Sequence, residues 1–477
     1  MLILLGSGST LSAQMLQGQV QTHVQAAQLG NGTLGLLIVD LDSGDVMAQM
    51  NAEQPLIPAS NMKLVTTAAA LGVLGKDFTF STELRLIESE DGTTLVIHGD
   101  GDPAFGDARI LEVLGLEVED VIRDWVAAVK EAGISEVKQI IVDDRIFDRE
   151  FVHASWPTNQ LHRWYCAQVG AINFNDNCID IYARPRAQGE VASINIHPIG
   201  APVSLDNKTV SGNRHEFWFS RRPDTNQIIL RGQVRHALTE AAPVTVHDPP
   251  IFFGELMQRR LREVGVSVTE VTRAEPQAVL PAGELLAAVR TSLPTVVMRC
   301  NRDSQNLFAE ALIKRIGYRV TGQPGSWTNG AAGIRSFLAE RIGPDAASVV
   351  IDDGSGLSRE NRISPQVLME LLSAMHDDAD LGPLYIASLA EPGAEFGTLR
   401  NRFRQVALSG DVRAKSGYIR GVTALSGYVV QGERTVGFVM ILNDYYDGTH
   451  RVRQMMERIV ADIDAAIATP DTADLGG

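Results

Sequence analysis

The sequence predicts a protein of the α/β (α+β) class: an antiparallel sheet flanked by helices, contributed by both ends of the chain and interrupted by a large α+β insertion. Three observations predict it. A hairpin pattern near the N-terminus is matched by another near the C-terminus. The last helical segment carries an apolar stripe suited to packing on a sheet. Between about residues 80 and 275 the character changes, and short β-like runs alternate with one clear helix.

Residues 34–50, LGLLIVDLDSGDVMAQM, read as two strands around the turn Asp42-Ser43-Gly44-Asp45. Pro58 breaks the chain, and a helix is expected from about Ser60 to Leu74, with Met62, Val65, Ala69 and Val73 on one face. In the insertion, FSTELRLIES, TTLVIHGDGDP, VKQIIVDD, INFNDNCIDIYARP and NQIILRGQVR read as strands, and DVIRDWVAAVKEAG as a helix. After Pro281 helices are expected to return, first in GELLAAVRTSLPTVVMRC and then in SQNLFAEALIKRIG, where Leu307, Phe308, Ala311, Leu312 and Ile316 share a face. VTALSGYVVQ and TVGFVMILND form the second hairpin about Gly432-Glu433. A final helix at about 451–468 carries Val452, Met455, Met456, Ile459, Val460, Ile463 and Ile467. The expected organisation is therefore a discontinuous domain, 1–78 with 276–468, around an inserted region, 79–275, of two subdomains (one nested at about 90–160), with a disordered tail at 469–477.

With 477 residues, 44% hydrophobic, the chain can bury more than one core. The balance of 42 basic against 58 acidic residues, a net charge of −16, argues against a nucleic-acid partner. Cys166, Cys178 and Cys300 are too few for a disulfide framework and read as buried thiols, with a Cys166–Cys178 pairing as the alternative. No metal-ligand spacing occurs. No apolar run reaches the ~20 residues of a membrane helix. The start, MLILLGSGSTLSAQ, resembles the back half of a secretory signal.

Lys63 is the first Lys or Arg in the chain, and it stands three places after Ser60 at the opening of an apolar helix. Residues at i and i+3 on a helix are neighbours. A serine hydroxyl needs a base to become a useful nucleophile, and a lysine can be that base when burial or a second cation lowers its proton affinity. The alternative reading makes Ser60 an N-cap. Two further elements bear on the choice. Ser304-Gln305-Asn306 offers a second hydroxyl and an amide ahead of a helix, or merely a cap and a turn. Lys415-Ser416-Gly417 offers a cation, a hydroxyl and a glycine that admits a substrate to a strand edge, or merely an exposed loop.

At these three places the chain resembles the penicillin-recognising serine enzymes, whose motifs are Ser-x-x-Lys, Ser-x-Asn and Lys-Thr/Ser-Gly in that order. The long stretch between Ser60 and Ser304 narrows the resemblance to the class C low-molecular-mass penicillin-binding proteins, the D-alanyl-D-alanine carboxypeptidase/endopeptidases of the penicillin-binding protein 4 type. Leu95–Pro103 (LVIHGDGDP), Asp352–Arg359 (DDGSGLSR), Gly397-Thr398-Leu399-Arg400 and Gly421-Val422 are similar to further stretches of that family. The likeness runs from about 30 to 465. Ser416 departs from the usual Thr while keeping the hydroxyl. Thr158-Asn159-Gln160-Leu161-His162 stands where many members carry paired aspartates.

The resemblance implies a β-lactamase/transpeptidase-like catalytic domain acting on peptidoglycan stem peptides and acylated by β-lactams. Ser60 would be the nucleophile, Lys63 its base and Ser304 the proton relay to the leaving amine. Asn306 would hold the substrate amide, and Lys415 and Ser416 its carboxylate beside Gly417. The N–H groups of Ser60 and Tyr418 would form the oxyanion hole, and Arg420 and the loop near 394–400 would shape the pocket. It implies no metal or organic cofactor and a location outside the cytoplasmic membrane. The alternatives are a β-lactamase or esterase of the same superfamily, and a catalytically silent cell-wall scaffold.

Overall fold

A computed structural model describes residues 7–468 of the chain. The start of the export-signal pattern, residues 1–6, and the expected tail, 469–477, lie outside the described residues. The chain divides into two compact units. One is drawn from Met1–Lys76, Val297–Gln305 and Trp327–Gly477, the other from Asp77–Val296 and Asn306–Ser326.

The first unit is built on a five-stranded antiparallel sheet. Its order is Asp411–Ile419, Val422–Gln431, Arg434–Asn443, Thr33–Asp40 and Val46–Met50, so strands from the two chain ends meet at its centre. Thr33 pairs with Asn443 and Asp40 with Val436 in an unbroken register. The strand Arg434–Asn443 is buried at nearly every position, as expected of a strand covered on both faces. Its even positions, Val436, Phe438, Met440 and Leu442, join a core with Leu16 and Val20 and with Val452, Met455, Met456, Ile459, Val460 and Ile463. That core places the helices Ser7–Ala27 and Thr449–Ala468 on one face. On the other face Gly437 lies against Met369 of the helix Pro365–His376. The final helix thus packs as its apolar stripe requires.

The helix Ser7–Ala27 is not anticipated by the sequence reading, which takes its first residues as part of a leader. Leu16, Val20 and Ala27 recur at helical spacing, but glutamines and glycines surround them.

The second unit contains a mixed five-stranded sheet, ordered Ser267–Arg273, Glu136–Asp143, Gly92–Gly99, Thr79–Ser89 and Glu284–Ser292. The helices Val118–Glu131 and Pro249–Glu263 pack on it around Phe105, Trp125 and Phe253. Two three-stranded sheets enclose a second core around Ile179, Ile181, Ile228, Leu230 and Val244. One correction falls in this unit. GELLAAVRTS, expected to be helical, forms the strand Glu284–Ser292, and the helix begins only at Leu293. Pairing with Thr79–Ser89 along its length overrides the helix preference of Leu and Ala.

All three cysteines are buried. Among the described residues, no helix is long and apolar enough to cross a membrane.

Candidate active site

Ser60 sits in a single 3₁₀ turn, Ala59–Asn61, that runs directly into the helix Met62–Leu74. The chain ahead of it is pinned to the sheet. The Asn443 side chain accepts from Ile57 N at 2.8 Å and donates to Ile57 O at 3.0 Å. Ala59 has a φ of +47°, a left-handed backbone rare outside glycine. Such strain costs on the order of 1–3 kcal/mol and clusters where function constrains the chain. Ser304 shares this property, with a φ of +62°.

Lys63 lies one turn beyond Ser60, as the spacing predicts. Its Nζ donates to Ser60 Oγ at 3.1 Å and to Ser355 O at 2.9 Å, and the side chain is fully buried. The second lysine is on the strand Asp411–Ile419. Lys415 Nζ donates to Ser304 Oγ at 2.8 Å and to Ser416 O at 2.7 Å. Lys415 is not in an exposed loop but in a strand, paired opposite Ser426 and 0% exposed. Burial pushes its ammonium well below the ordinary lysine value, and the charge of Lys63 pushes it further, while Asp303 pulls the other way. The two ammonium groups therefore sit within each other's field.

Asp411–Ile419 is an edge strand. Ala414 N and O both bond to Ala390, on the side away from the neighbouring strand. In an antiparallel ladder the direction of the backbone groups alternates, and the register here has no bulge. The N–H groups of Ser416 and Tyr418 therefore face the same open side as that of Ala414. Gly417 brings this strand against the Ser60 turn: a Cβ there would stand 3.1 Å from both Ser60 N and Pro58 O. The Tyr418 ring is about half exposed and is covered by the Arg453 guanidinium, 5.4 Å from its centroid.

Asn306 falls in the second unit, where it begins the helix Asn306–Thr321 and donates from Nδ2 to Tyr165 O at 2.8 Å. The segment 158–162 forms the short turn Thr158–Gln160 and presents no acidic side chain.

One contact has no side chain of its own to announce it. The Ser355 carbonyl that receives Lys63 lies in the Asp353-Gly354-Ser355-Gly356 turn, and Thr66 Oγ1 donates to the adjoining Gly354 O at 2.7 Å. A main-chain oxygen cannot be read from residue types. The cue in the sequence is the Asp-Gly-Ser-Gly pattern itself, which marks a tight turn.

These groups amount to a hydroxyl held by one buried lysine, a second hydroxyl held by another, and outward-facing amide donors on an open strand edge. That set suits nucleophilic acyl transfer: an activated oxygen, a proton relay and donors for a developing oxyanion.

Comparison with known proteins agrees. Residues 16–463 match the model of the D-Ala-D-Ala carboxypeptidase 3 (S13) family. A D-alanyl-D-alanine carboxypeptidase of Actinomadura sp. (strain R39) is 32% identical over 465 residues, covering 92% of this chain and 82% of the relative. The D-alanyl-D-alanine carboxypeptidase DacB of Haemophilus influenzae is 24% identical over 435 residues, covering 87% of this chain and 86% of the relative. The crystal structure of penicillin binding protein 4 (dacB) from Haemophilus influenzae superposes with a TM-score of 0.76 at 21% identity, covering 93% of this chain and 99% of that one, and so shares the β-lactamase/transpeptidase-like fold. The chain belongs to the D-Ala-D-Ala carboxypeptidase 3 (S13) family, the serine peptidases of the penicillin-binding protein 4 type.

Proposed function

We propose that this chain is a D-Ala-D-Ala carboxypeptidase and/or endopeptidase that cleaves peptidoglycan stem peptides through an acyl-enzyme on Ser60. The observation that carries the reading is the Lys63 Nζ to Ser60 Oγ contact of 3.1 Å in a fully buried setting. A neutral Lys63 takes the Ser60 proton as Oγ bonds to the carbonyl carbon of the penultimate D-Ala. The oxyanion is met by the N–H groups of Ser60 and Tyr418, the second aimed outward from the strand edge. As the C–N bond breaks, Ser304 passes its proton to the leaving amine and takes back the one that Lys63 removed from Ser60, and Lys415 polarises that hydroxyl from 2.8 Å. Ser416 and Lys415 receive the carboxylate of the departing residue. Asn306 is assigned the substrate amide on the strength of its motif alone. Water then hydrolyses the ester.

β-Lactams would acylate Ser60 by the same contacts. A related structure, that of the Haemophilus influenzae penicillin binding protein 4, is described in complex with a β-lactam. A peptidoglycan substrate supports a location outside the cytoplasmic membrane.

The test is labelling of the purified chain with a penicillin, read by intact mass and peptide mapping, beside Ser60→Ala and Lys63→Ala. A stable adduct on Ser60, absent from both variants, is expected. Rapid consumption of penicillin with no lasting adduct would replace this reading by a β-lactamase. Intact penicillin and unlabelled protein would replace it by a silent scaffold.

A further inference from the structure

We propose that Asp353 is a positioning residue for the acylation step, folding its loop so that the Ser355 carbonyl fixes Lys63 against Ser60. The inference rests on the reading of Ser60 and Lys63 as the reacting pair.

Asp353 is 0% exposed, and its carboxylate collects donors from its own loop. Oδ1 accepts from Gly356 N at 2.8 Å and from Asn361 Nδ2 at 2.7 Å, and Oδ2 accepts from Ser358 N at 2.7 Å. Asn361, also fully buried, accepts at Oδ1 from Asp352 N at 2.8 Å and from Asp353 N at 3.3 Å. The chain is thereby wrapped around one carboxylate. Gly356 completes the turn with a φ of +80°, and a Cβ there would fall 1.8 Å from Ala59 O, so the loop lies directly against the nucleophile's turn.

The result is a pair of consecutive carbonyls presented to one side of the helix Met62–Leu74. Gly354 O takes Thr66 Oγ1 at 2.7 Å and Ser355 O takes Lys63 Nζ at 2.9 Å. Lys63 and Thr66 are i and i+3 and so share a face. This matters to the chemistry because a neutral amine has two N–H groups and one lone pair. It works as a base only when the lone pair points at the Ser60 hydroxyl. An acceptor that engages one N–H restricts rotation about the Cε–Nζ bond and helps to hold that direction. The carbonyl can do so only while the loop is held, and the loop is held by Asp353.

An Asn at 353 has almost the same volume but turns a donor towards groups that are themselves donors, so at least one of the three bonds is lost. A matched control exists in the same unit. Asp464 is 3% exposed and also collects three donors: Ser409 N at 2.6 Å, Ser409 Oγ at 3.0 Å and Gly410 N at 2.8 Å. None of these donors touches Lys63.

The experiment is stopped-flow acylation of the full chain by a chromogenic cephalosporin, separating the dissociation constant of the first complex from the acylation rate constant. Asp353→Asn is expected to lower the rate constant roughly 10- to 100-fold, as misplacement of a reacting group does, and to leave the dissociation constant within about threefold. Asp464→Asn is expected to lose melting temperature comparably and keep the wild-type rate constant. An unchanged rate constant in Asp353→Asn, or an equal fall in Asp464→Asn, overturns the proposal. Should Asp353→Asn not fold, the near-isosteric Thr66→Val removes the second tether. It should slow acylation about threefold or more without weakening binding, and an unaltered rate there also overturns the proposal. Absence of a Ser60 adduct in the wild-type chain would instead remove the proposed function itself.

Discussion

Lys415 Nζ stands 2.8 Å from Ser304 Oγ, so a cation that burial disfavours is held on a hydroxyl whose backbone is itself left-handed. Neither feature benefits folding alone. Both are explained if Ser304 must pass a proton at the moment the leaving group departs. Ser304→Ala should therefore slow acylation by a penicillin roughly 100-fold, the usual scale for loss of a positioned proton donor. The melting temperature should fall little, because Lys415 retains Ser416 O as an acceptor. Rate constants beside a thermal melt check this, and a variant within about threefold of wild type would remove Ser304 from the proton path.

Lys415 also makes a prediction about stability. Its folded proton affinity lies well below that of an unfolded lysine, first through burial and then through Lys63. Between those two values the folded chain binds fewer protons than the unfolded one, so this group makes stability rise with pH across that window. Lys415→Met removes the buried charge while keeping much of the volume. Compared at neutral pH and just below the ordinary lysine value, it should lack that rise and melt at neutral pH no lower than wild type, yet acylate roughly 100-fold more slowly or worse. Melts at the two pH values and one rate measurement decide it. A variant that loses both stability and activity would mean that the contacts of Lys415 to Ser304 and Ser416 serve the fold.

The parts of this structure that the sequence discloses are those written in side-chain period. The hairpins Thr33–Met50 and Val422–Asn443 and the final helix follow from apolar alternation and an i, i+3, i+4 stripe. The three motifs disclose the side chains to which the proposed chemistry is assigned, and the i, i+3 rule discloses the Ser60–Lys63 contact. What stays hidden depends on partners distant in sequence. Glu284–Ser292 is a strand because Thr79–Ser89 lies beside it. Lys415 differs: the sequence leaves open a site cation or an exposed loop residue, and its strand pairs with the adjoining Val422–Gln431 across the turn Arg420-Gly421, but the run DVRAKSGYI holds too few apolar residues to announce a strand. The left-handed backbone at Ala59 and Ser304, and the Ser355 carbonyl on Lys63, are main-chain facts with no letter of their own.

In the second unit Asp102 is wholly buried, accepting from Thr291 Oγ1 at 2.7 Å and Ala104 N at 2.9 Å. Burial is the largest influence and raises its pKa to about 6. The folded state thus holds this proton more tightly than the unfolded chain, and its contribution to stability is lost as pH rises through about 6. The loss by pH 8 is on the order of 3 kcal/mol. Asp102→Asn keeps an acceptor for the Ala104 amide and places a donor near Thr291. It should be more stable than wild type at pH 8, and that advantage should shrink steadily as pH falls from about 6 to below the unfolded carboxyl value. Thermal melts across that range test this, and parallel curves for the two proteins would show that Asp102 does not carry the dependence.

Gly417 supplies the most local test of the strand edge. A Cβ at this position would stand 3.1 Å from Ser60 N and Pro58 O and 3.2 Å from the Ala424 Cβ. All three are tighter than ordinary van der Waals contact, and two of the atoms belong to the backbone around Ser60. Backbone cannot rotate aside as a flexible side chain can. Gly417→Ala must therefore push the strand Asp411–Ile419 and the Ser60 turn apart by a few tenths of an ångström. Overpacking of this kind costs about 1–3 kcal/mol of stability. The effect on chemistry should be larger than that cost suggests, because the shift separates the Tyr418 N–H from the Ser60 N–H, the two donors assigned to one oxyanion. Acylation should fall roughly 100-fold, on the scale of a lost oxyanion donor. Acylation kinetics at a temperature well below the melt isolate the chemical effect. If Gly417→Ala destabilises the protein while acylating at the wild-type rate, the oxyanion does not lie between Ser60 and Tyr418.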